Sequence, residues 1–353
     1  MKSKKIIELL QKAVADNVFP GAVVGVVNKK GDSTILPVGK YTYDSTSPDV
    51  DQNTVYDVAS LTKSVATSAA LLKLIDENKI SLGTKVADLI PEFGNSAEKK
   101  QVTIKNLLTY SIDQTLPSLS TLKNNTPDEI VGTIIKASLR EKPGYSFKYT
   151  NATAVIGGLV VQKISNESLD VFVNKSFYKP LGMNSTTFHP EIFPKEKIAP
   201  TEYDEWRGRL IQGEVHDEST YTLQKKYYLG AAGLFSTVPD LLTFQFMLLN
   251  NGTYEGVKYF SQHLVEQMAI NQLPDSTDEV GLGWVLKWSE AMGNQVSSKA
   301  FAKSGFTGCF MVTDPDKGLA MTLLCNRTFP KRPADSSTIN KLRRELSDLV
   351  FAD

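Results

Sequence analysis

The chain has 353 residues, and its 39 lysines and arginines balance 39 aspartates and glutamates, so its formal net charge is zero. A neutral chain lacks the long-range positive field that gathers phosphate backbones or anionic lipid, which argues against a nucleic-acid partner or a membrane-surface role. Its 41% apolar residues are enough to fill the core of one large or two ordinary domains, which excludes global disorder.

Lys2, Lys4 and Lys5 ahead of Ile6, Ile7, Leu9 and Leu10 look like the start of an export signal, but Glu8 interrupts the apolar run and Gln11 and Lys12 end it. The spacing Ile6, Leu9, Leu10, Val14 predicts an amphipathic helix instead. The chain as written is therefore expected to be cytoplasmic, and extracytoplasmic if an export signal has been removed. Ala22–Asn28 and Ser33–Val38, separated by a Lys-Gly-Asp turn, predict a hairpin. From Ser60 to about Asn78 the residues Leu61, Val65, Ala69, Leu72 and Ile75 recur at helical spacing without Gly or Pro, which predicts a long buried helix.

The middle third, punctuated by Pro117, Pro127, Pro143, Gly144, Pro180 and Gly182, predicts shorter helices and loops. Strands return at Leu282–Trp288, Cys309–Thr313 and Leu319–Cys325, and Asn340–Phe351 predicts a closing helix. Strands near both ends with helices between them predict one sheet built from residues 1–60 and 230–353 and covered by the terminal helices. A mainly helical insertion spans 61–229, with the cleft between the two parts. No apolar stretch approaches the roughly 20 residues needed to span a bilayer. Cys309 and Cys325, the only cysteines, lie in apolar runs and predict small buried thiols.

The chain contains no Gly-x-Ser-x-Gly elbow, His-Glu-x-x-His, Gly-x-x-x-x-Gly-Lys-Ser/Thr or Gly-x-Gly-x-x-Gly. Three scattered histidines, His189, His216 and His263, speak against a histidine-rich metal site. His216 beside Asp217 and Glu218 leaves a Ser-His-Asp arrangement open. The alternative activating group is a lysine one helical turn from a serine. Ser-x-x-Lys occurs at Ser60/Lys63, Ser96/Lys99, Ser120/Lys123 and Ser176/Lys179, but only Ser60 opens a long apolar helix.

There its hydroxyl meets unpaired backbone N–H groups and the positive helix end, which favour an alkoxide or oxyanion. Lys63 among apolar neighbours loses hydration, which favours a neutral, proton-accepting amine. The competing reading is an ordinary N-cap serine and a snorkelling lysine. Tyr149-Thr150-Asn151 and Lys303-Ser304-Gly305 are each unique in the chain and complete a set. Tyr149 is suited to share a proton with Lys63, its phenol kept acidic by two ammonium groups. Asn151 offers an amide to a substrate carbonyl or to Lys63. Lys303 supplies a cation for a substrate carboxylate, and Gly305 lets a ligand approach the strand edge.

With these motifs the sequence resembles the serine β-lactamase and penicillin-binding-protein superfamily, in particular the class C β-lactamase-like branch with its D-alanyl-D-alanine peptidases and esterases. Further landmarks are Phe19-Pro20-Gly21-Ala22, Leu107-Leu108-Thr109, Lys142-Pro143-Gly144, Pro180-Leu181-Gly182-Met183 and Gly233-Leu234-Phe235-Ser236-Thr237. The resemblance implies an α+β fold, an antiparallel sheet flanked by helices with an inserted all-helical subdomain, and no metal or organic cofactor. It implies Ser60 as acyl-accepting nucleophile, Lys63 and Tyr149 as base and acid, and Asn151 as substrate ligand. Lys303 and Ser304 become a carboxylate-binding edge, and Phe306 the second oxyanion N–H beside that of Ser60.

Two departures stand out. Tyr110-Ser111-Ile112-Asp113 replaces the usual His-Thr-Ser-Gly, and Ala231-Ala232-Gly233 lacks the His often found before that glycine. The expected activity is hydrolysis of an ester, amide or lactam through an acyl-enzyme, on a small-molecule or peptide substrate carrying a carboxylate. A true class C-like β-lactamase and an inactive peptidoglycan-ligand binding protein are the alternatives. Oligomeric state is not encoded in any motif.

Overall fold

A computed structural model of the chain describes residues 2–352. β-Branched residues dominate Gly21–Asn28 (β1), which turns through Lys29–Asp32 into Ser33–Gly39 (β2). Val285–Leu286 (β3), Phe301–Ser304 (β4), Phe310–Asp314 (β5) and Leu319–Cys325 (β6) complete a six-stranded antiparallel sheet in the order β2-β1-β6-β5-β4-β3. β1 pairs with β6 from Ala22 opposite Cys325 to Asn28 opposite Leu319, so an early and a late segment meet at the sheet centre.

Side chains alternate across the sheet as the two-residue period requires. Ala22, Val24, Ala302, Phe310, Val312, Met321 and Leu323 share a core with Ile6 and Leu10 of the first helix, Lys2–Ala15, and Leu342 and Leu346 of the last, Ser337–Phe351. The other face, including Val23, Val27, Phe301, Met311, Ala320 and Leu324, joins the core of Val238–Leu249 and the helical region. On this face a Cβ at Gly25 would stand 2.3 Å from Val238 Cγ1, so the helix seats only over a glycine. The same core continues through Leu61, Val65 and Leu72 to Ile130, Ile134, Val155 and Val160, so this sheet face and these helices share one core. Each such aliphatic side chain contributes roughly 1.5–3 kcal/mol by leaving water.

Three elements differ from expectation. The helix expected from Ser60 begins at Leu61 and passes through a π-helical turn, Lys63–Ser68, before the α-helical Ala69–Asp76. Ser64 Oγ donates to the Gly283 carbonyl at 2.7 Å and Thr67 Oγ1 to the Gly230 carbonyl at 2.9 Å, tying the widened turn to segments far away in sequence. The strand expected over 282–288 is two residues long, because positive φ at Gly283 and Lys287 turns the chain on both sides. The region expected to be mainly helical also holds a small strand pair, Glu202–Asp204 with Arg209–Ile211.

Cys309 and Cys325 are free and buried, and burial pushes the Cys309 thiol up to about 11 and that of Cys325 higher still. No helix among the described residues is long and apolar enough to cross a membrane.

Candidate active site

The short strand Tyr56–Asp57 pairs with Phe235–Ser236 and delivers the chain to Ser60. Ala59 lies at φ 46°, the left-handed region that costs a non-glycine residue about 1–2 kcal/mol. The buried Asp57 carboxylate holds the bend by accepting the Ala59 N–H at 2.8 Å and the His216 N–H at 2.7 Å. Desolvation raises the Asp57 pKa against the opposing pull of these bonds. The bend places Ser60 before the helix and not inside it. The N–H groups of Leu61, Thr62 and Lys63 pair with the Val58, Ala59 and Ser60 carbonyls at 3.1, 3.1 and 3.2 Å. The expected cluster of open helix N–H groups is therefore closed, and the Ser60 N–H is the one left without an acceptor among the described residues.

Lys63 is 1% exposed, which rules out the snorkelling alternative. Its Nζ lies 2.6 Å from the Ala231 carbonyl, 2.7 Å from Asn151 Oδ1 and 3.0 Å from Ser60 Oγ. Two fixed acceptors take two N–H bonds, so the third direction of the nitrogen faces the serine. An ammonium would donate along it, and a neutral amine would accept the Ser60 proton along it.

Tyr149 lies on the other side of this pair. The residue as a whole is 47% exposed and lines the same cavity as Ser60, with Lys63 Nζ 5.2 Å from its ring centroid. Desolvation raises its pKa, but Lys303 and Lys63 outweigh that and lower it to about 8. Lys303, on β4, lies 4.5 Å from the Tyr149 ring centroid and 4.2 Å from that of Tyr110, and donates to the Tyr110 hydroxyl at 2.9 Å. Burial lowers the Lys303 pKa to about 8, with Tyr149 pulling the other way. At 2% exposure, Lys303 acts on the cleft through its field and through Tyr110 and Tyr149 more than as an open cation.

Tyr110 is the residue standing where the superfamily pattern has His. It is buried at φ 50° and packs edge-on against Phe147, with the Tyr149 ring 5.4 Å away. Desolvation pushes its phenol well up, and its hydroxyl is the neutral partner of Lys303.

Asn151 opens the helix Asn151–Ser165, capped by Thr150. Its Oδ1 accepts from Lys63, while its Nδ2 donates to Asp217 Oδ2 at 3.2 Å, which fixes the amide orientation and leaves one N–H toward the cleft. Asp217, the N-cap of Glu218–Leu223, is desolvated, yet Ser219, Thr220 and Lys63 keep its pKa low. The sequence marked Asp217 only as a neighbour of His216. His216 itself is held by Glu202 at 2.5 Å and stacks on the Phe306 ring at 5.5 Å, and among the described residues its ring makes no hydrogen bond to a serine hydroxyl.

β4 ends at Ser304, and a Cβ on the next residue, Gly305, would stand 2.4 Å from the Val58 carbonyl oxygen, so a glycine is required for the strand end to pass the nucleophile turn. Phe306 follows, 43% exposed, and its N–H has no acceptor among the described residues. Ser60, Tyr149, Asn151, Ser304, Gly305 and Phe306 line one cavity of about 310 Å³. Lys303 and Ser304 border an adjoining cavity of about 260 Å³ with Phe147, Val285 and Trp288. A polar cavity of about 560 Å³ opens on the other side of Tyr149 toward Gln114, Ser118 and Lys148. All eight residues singled out in the sequence thus border the cleft or, for Lys63, touch those that do. Among the described residues no group of three His, Cys, Asp or Glu side chains is arranged to hold a metal ion.

A mixed helix and antiparallel-sheet fold with a serine, a buried lysine and a tyrosine at its cleft defines a serine hydrolase. The Beta-lactamase family model matches residues 6–344, and the chain belongs to that family. A protein of Escherichia coli K12 named for an inferred D-alanyl-D-alanine carboxypeptidase activity is 29% identical over 332 residues, covering 85% of this chain and 74% of its own. Simvastatin synthase of Aspergillus terreus shares the fold with a TM-score of 0.79 at 17% identity, over 100% of this chain and 98% of that one. EstCE1, a hydrolase with promiscuous acyltransferase activity, does so with a TM-score of 0.77 at 18% identity, over 99% of each chain.

Proposed function

We propose that the protein forms an acyl-enzyme at Ser60 from an ester, amide or lactam carbonyl and hydrolyses it, with small esters and D-Ala-D-Ala-type peptides as the substrate classes. The observation that carries this reading is the 3.0 Å contact between Lys63 Nζ and Ser60 Oγ, with the amine otherwise fixed on Asn151 and Ala231. The Ser60 proton passes to the Lys63 and Tyr149 pair as Oγ attacks the carbonyl carbon. The N–H groups of Ser60 and Phe306 receive the developing oxyanion. Tyr149, facing the cleft, returns the proton to the leaving group, and water then repeats the sequence on the acyl ester. Asn151 keeps Lys63 aimed and offers its remaining N–H to the acyl side.

Labelling with a fluorescent penicillin tests the nucleophile: the wild type is expected to label and Ser60→Ala not to, and an equally labelled Ala variant would reject the assignment. Rates on nitrocefin, a p-nitrophenyl ester and a D-Ala-D-Ala peptide then rank the substrates. Turnover of nitrocefin far above the other two would make the enzyme a β-lactamase.

A further inference from the structure

Behind the Phe306 N–H lies a feature that the acyl-transfer scheme does not use. Arg343, on the last helix, is 3% exposed and has no carboxylate partner among the described residues. Its Nη2 donates to the Gly305 carbonyl at 2.9 Å and to the Cys309 carbonyl at 3.0 Å, and its Nη1 to Asn340 Oδ1 at 2.9 Å. The turn it braces is already tight: Gly305 N–H donates to the Cys309 carbonyl at 2.7 Å and Gly308 N–H to the Gly305 carbonyl at 3.1 Å. Arg327, 5% exposed, donates through Nε to the Phe306 carbonyl at 2.8 Å. Two guanidiniums therefore bind consecutive carbonyls of the segment that borders the nucleophile, and both line the cavity of Ser60.

Burying a cation without a counter-ion carries a desolvation cost, so a purely structural brace at Arg343 is an unfavourable solution. Burial lowers its pKa to about 10, which leaves it charged at neutral pH. The Gly305 carbonyl and the Phe306 N–H belong to one trans peptide group, where C=O and N–H point in opposite directions. The Arg343 guanidinium, bound to the carbonyl, therefore lies on the opposite side of this peptide from its N–H, which has no acceptor among the described residues. Donation to that carbonyl draws electron density from the amide and makes the N–H a stronger donor, and the fixed charge adds its field at the same spot.

We propose that Arg343 is a positioning residue of the oxyanion hole, polarising and orienting the Gly305–Phe306 peptide so that its N–H stabilises the tetrahedral intermediate. This rests on the proposed acyl transfer at Ser60, whose oxyanion the Ser60 and Phe306 N–H groups receive. Its effect falls on the transition state and not on substrate binding.

The experiment compares wild type, Arg343→Met and Arg343→Lys, each checked for a folded melting transition. Hydrolysis of p-nitrophenyl acetate and inhibition by an aryl boronic acid, which forms a tetrahedral adduct on the serine, are measured for each. For Arg343→Met we expect kcat to fall about tenfold or more with little change in KM, and the boronate to bind weaker by a similar factor. Arg343→Lys, which keeps the charge and loses the fork, should fall between. In the acyl-enzyme, the ester carbonyl stretch should move to higher frequency in Arg343→Met as polarisation weakens.

A folded Arg343→Met with kcat and boronate affinity within twofold of wild type overturns the proposal, as does a loss confined to KM. If Arg343→Met does not fold, Arg343→Lys decides by the same readings: parallel losses in kcat and boronate affinity support the role, and wild-type values in both overturn it. Failure of the underlying reading would look different, because Ser60→Ala would then still take up penicillin label.

Discussion

Lys303→Met asks whether Tyr149 owes its acidity to the ammonium beside it. An ammonium near a phenol favours the phenolate, so removing it must raise the Tyr149 pKa, and any rate limb carried by that phenolate must move to higher pH. Lys303 Nζ lies 4.5 Å from the Tyr149 ring centroid. At that separation Coulomb's law gives about 0.9 kcal/mol at the permittivity of water and about 3.7 kcal/mol at an effective value of 20. Tyr149 is 47% exposed, so solvent screening favours the lower figure. A shift of roughly one pH unit upward is expected. The wild-type limb should rise through about 8, where Tyr149 loses its proton. The assay is kcat/KM for p-nitrophenyl acetate from pH 6 to 10.5 at constant ionic strength. Tyr149→Phe should remove the limb. A limb that stays in place in Lys303→Met would refute the coupling, and one that vanishes would identify Lys303, itself near 8, as the titrating group.

Two further outcomes follow from geometry and charge. Gly305→Ala forces a Cβ to within 2.4 Å of the Val58 carbonyl, so it should displace the nucleophile turn and lower kcat/KM at least a hundredfold; wild-type activity would show that the turn yields. Glu202 is desolvated, which raises its pKa, but His216 and Arg332 overcome this and hold it at about 2 against an ordinary 4.5. The depressed carboxylate contributes on the order of 3 kcal/mol of stability above pH 4.5, lost as pH falls toward 2. Urea unfolding of Glu202→Gln should therefore show lower stability at pH 7 and a flatter decline between pH 5 and 2 than wild type, and parallel curves would contradict this assignment.

The parts of the site legible in the sequence were those whose chemistry coincides with a local pattern. Ser60 and Lys63 stood out because a long apolar helix follows one of four similar pairs, and Tyr149, Asn151 and Lys303 because their short motifs are unique. The hairpin and the terminal helices followed from periodicities that burial on one face enforces. Residues that act only through distant partners were not legible. Tyr110 meets Lys303 across 193 positions and Asp217 meets Asn151 across 66; the sequence marks Tyr110 only as a departure and Asp217 only as a neighbour of His216, and shows neither partner. Ala59 reads as a helix former, yet it is bent to φ 46° by a carboxylate two residues away. Arg343 did leave a trace, a charge within the buried stripe Ile339, Leu342, Leu346, Val350 of the last helix.

The register of β1 on β6 has a consequence for how the enzyme comes into being. Ser60 and Lys63 are synthesised well before Leu319–Cys325, and the sheet centre closes only when that segment arrives to lie along Gly21–Asn28. Lys303 and the Phe306 N–H are likewise late arrivals, and Arg343 comes later still. A chain that stops short of Phe301–Ser304 thus carries Ser60, Lys63 and Tyr149 without the Lys303 ammonium or the Phe306 N–H, and the acyl-transfer site is complete only once these later strands have joined the sheet.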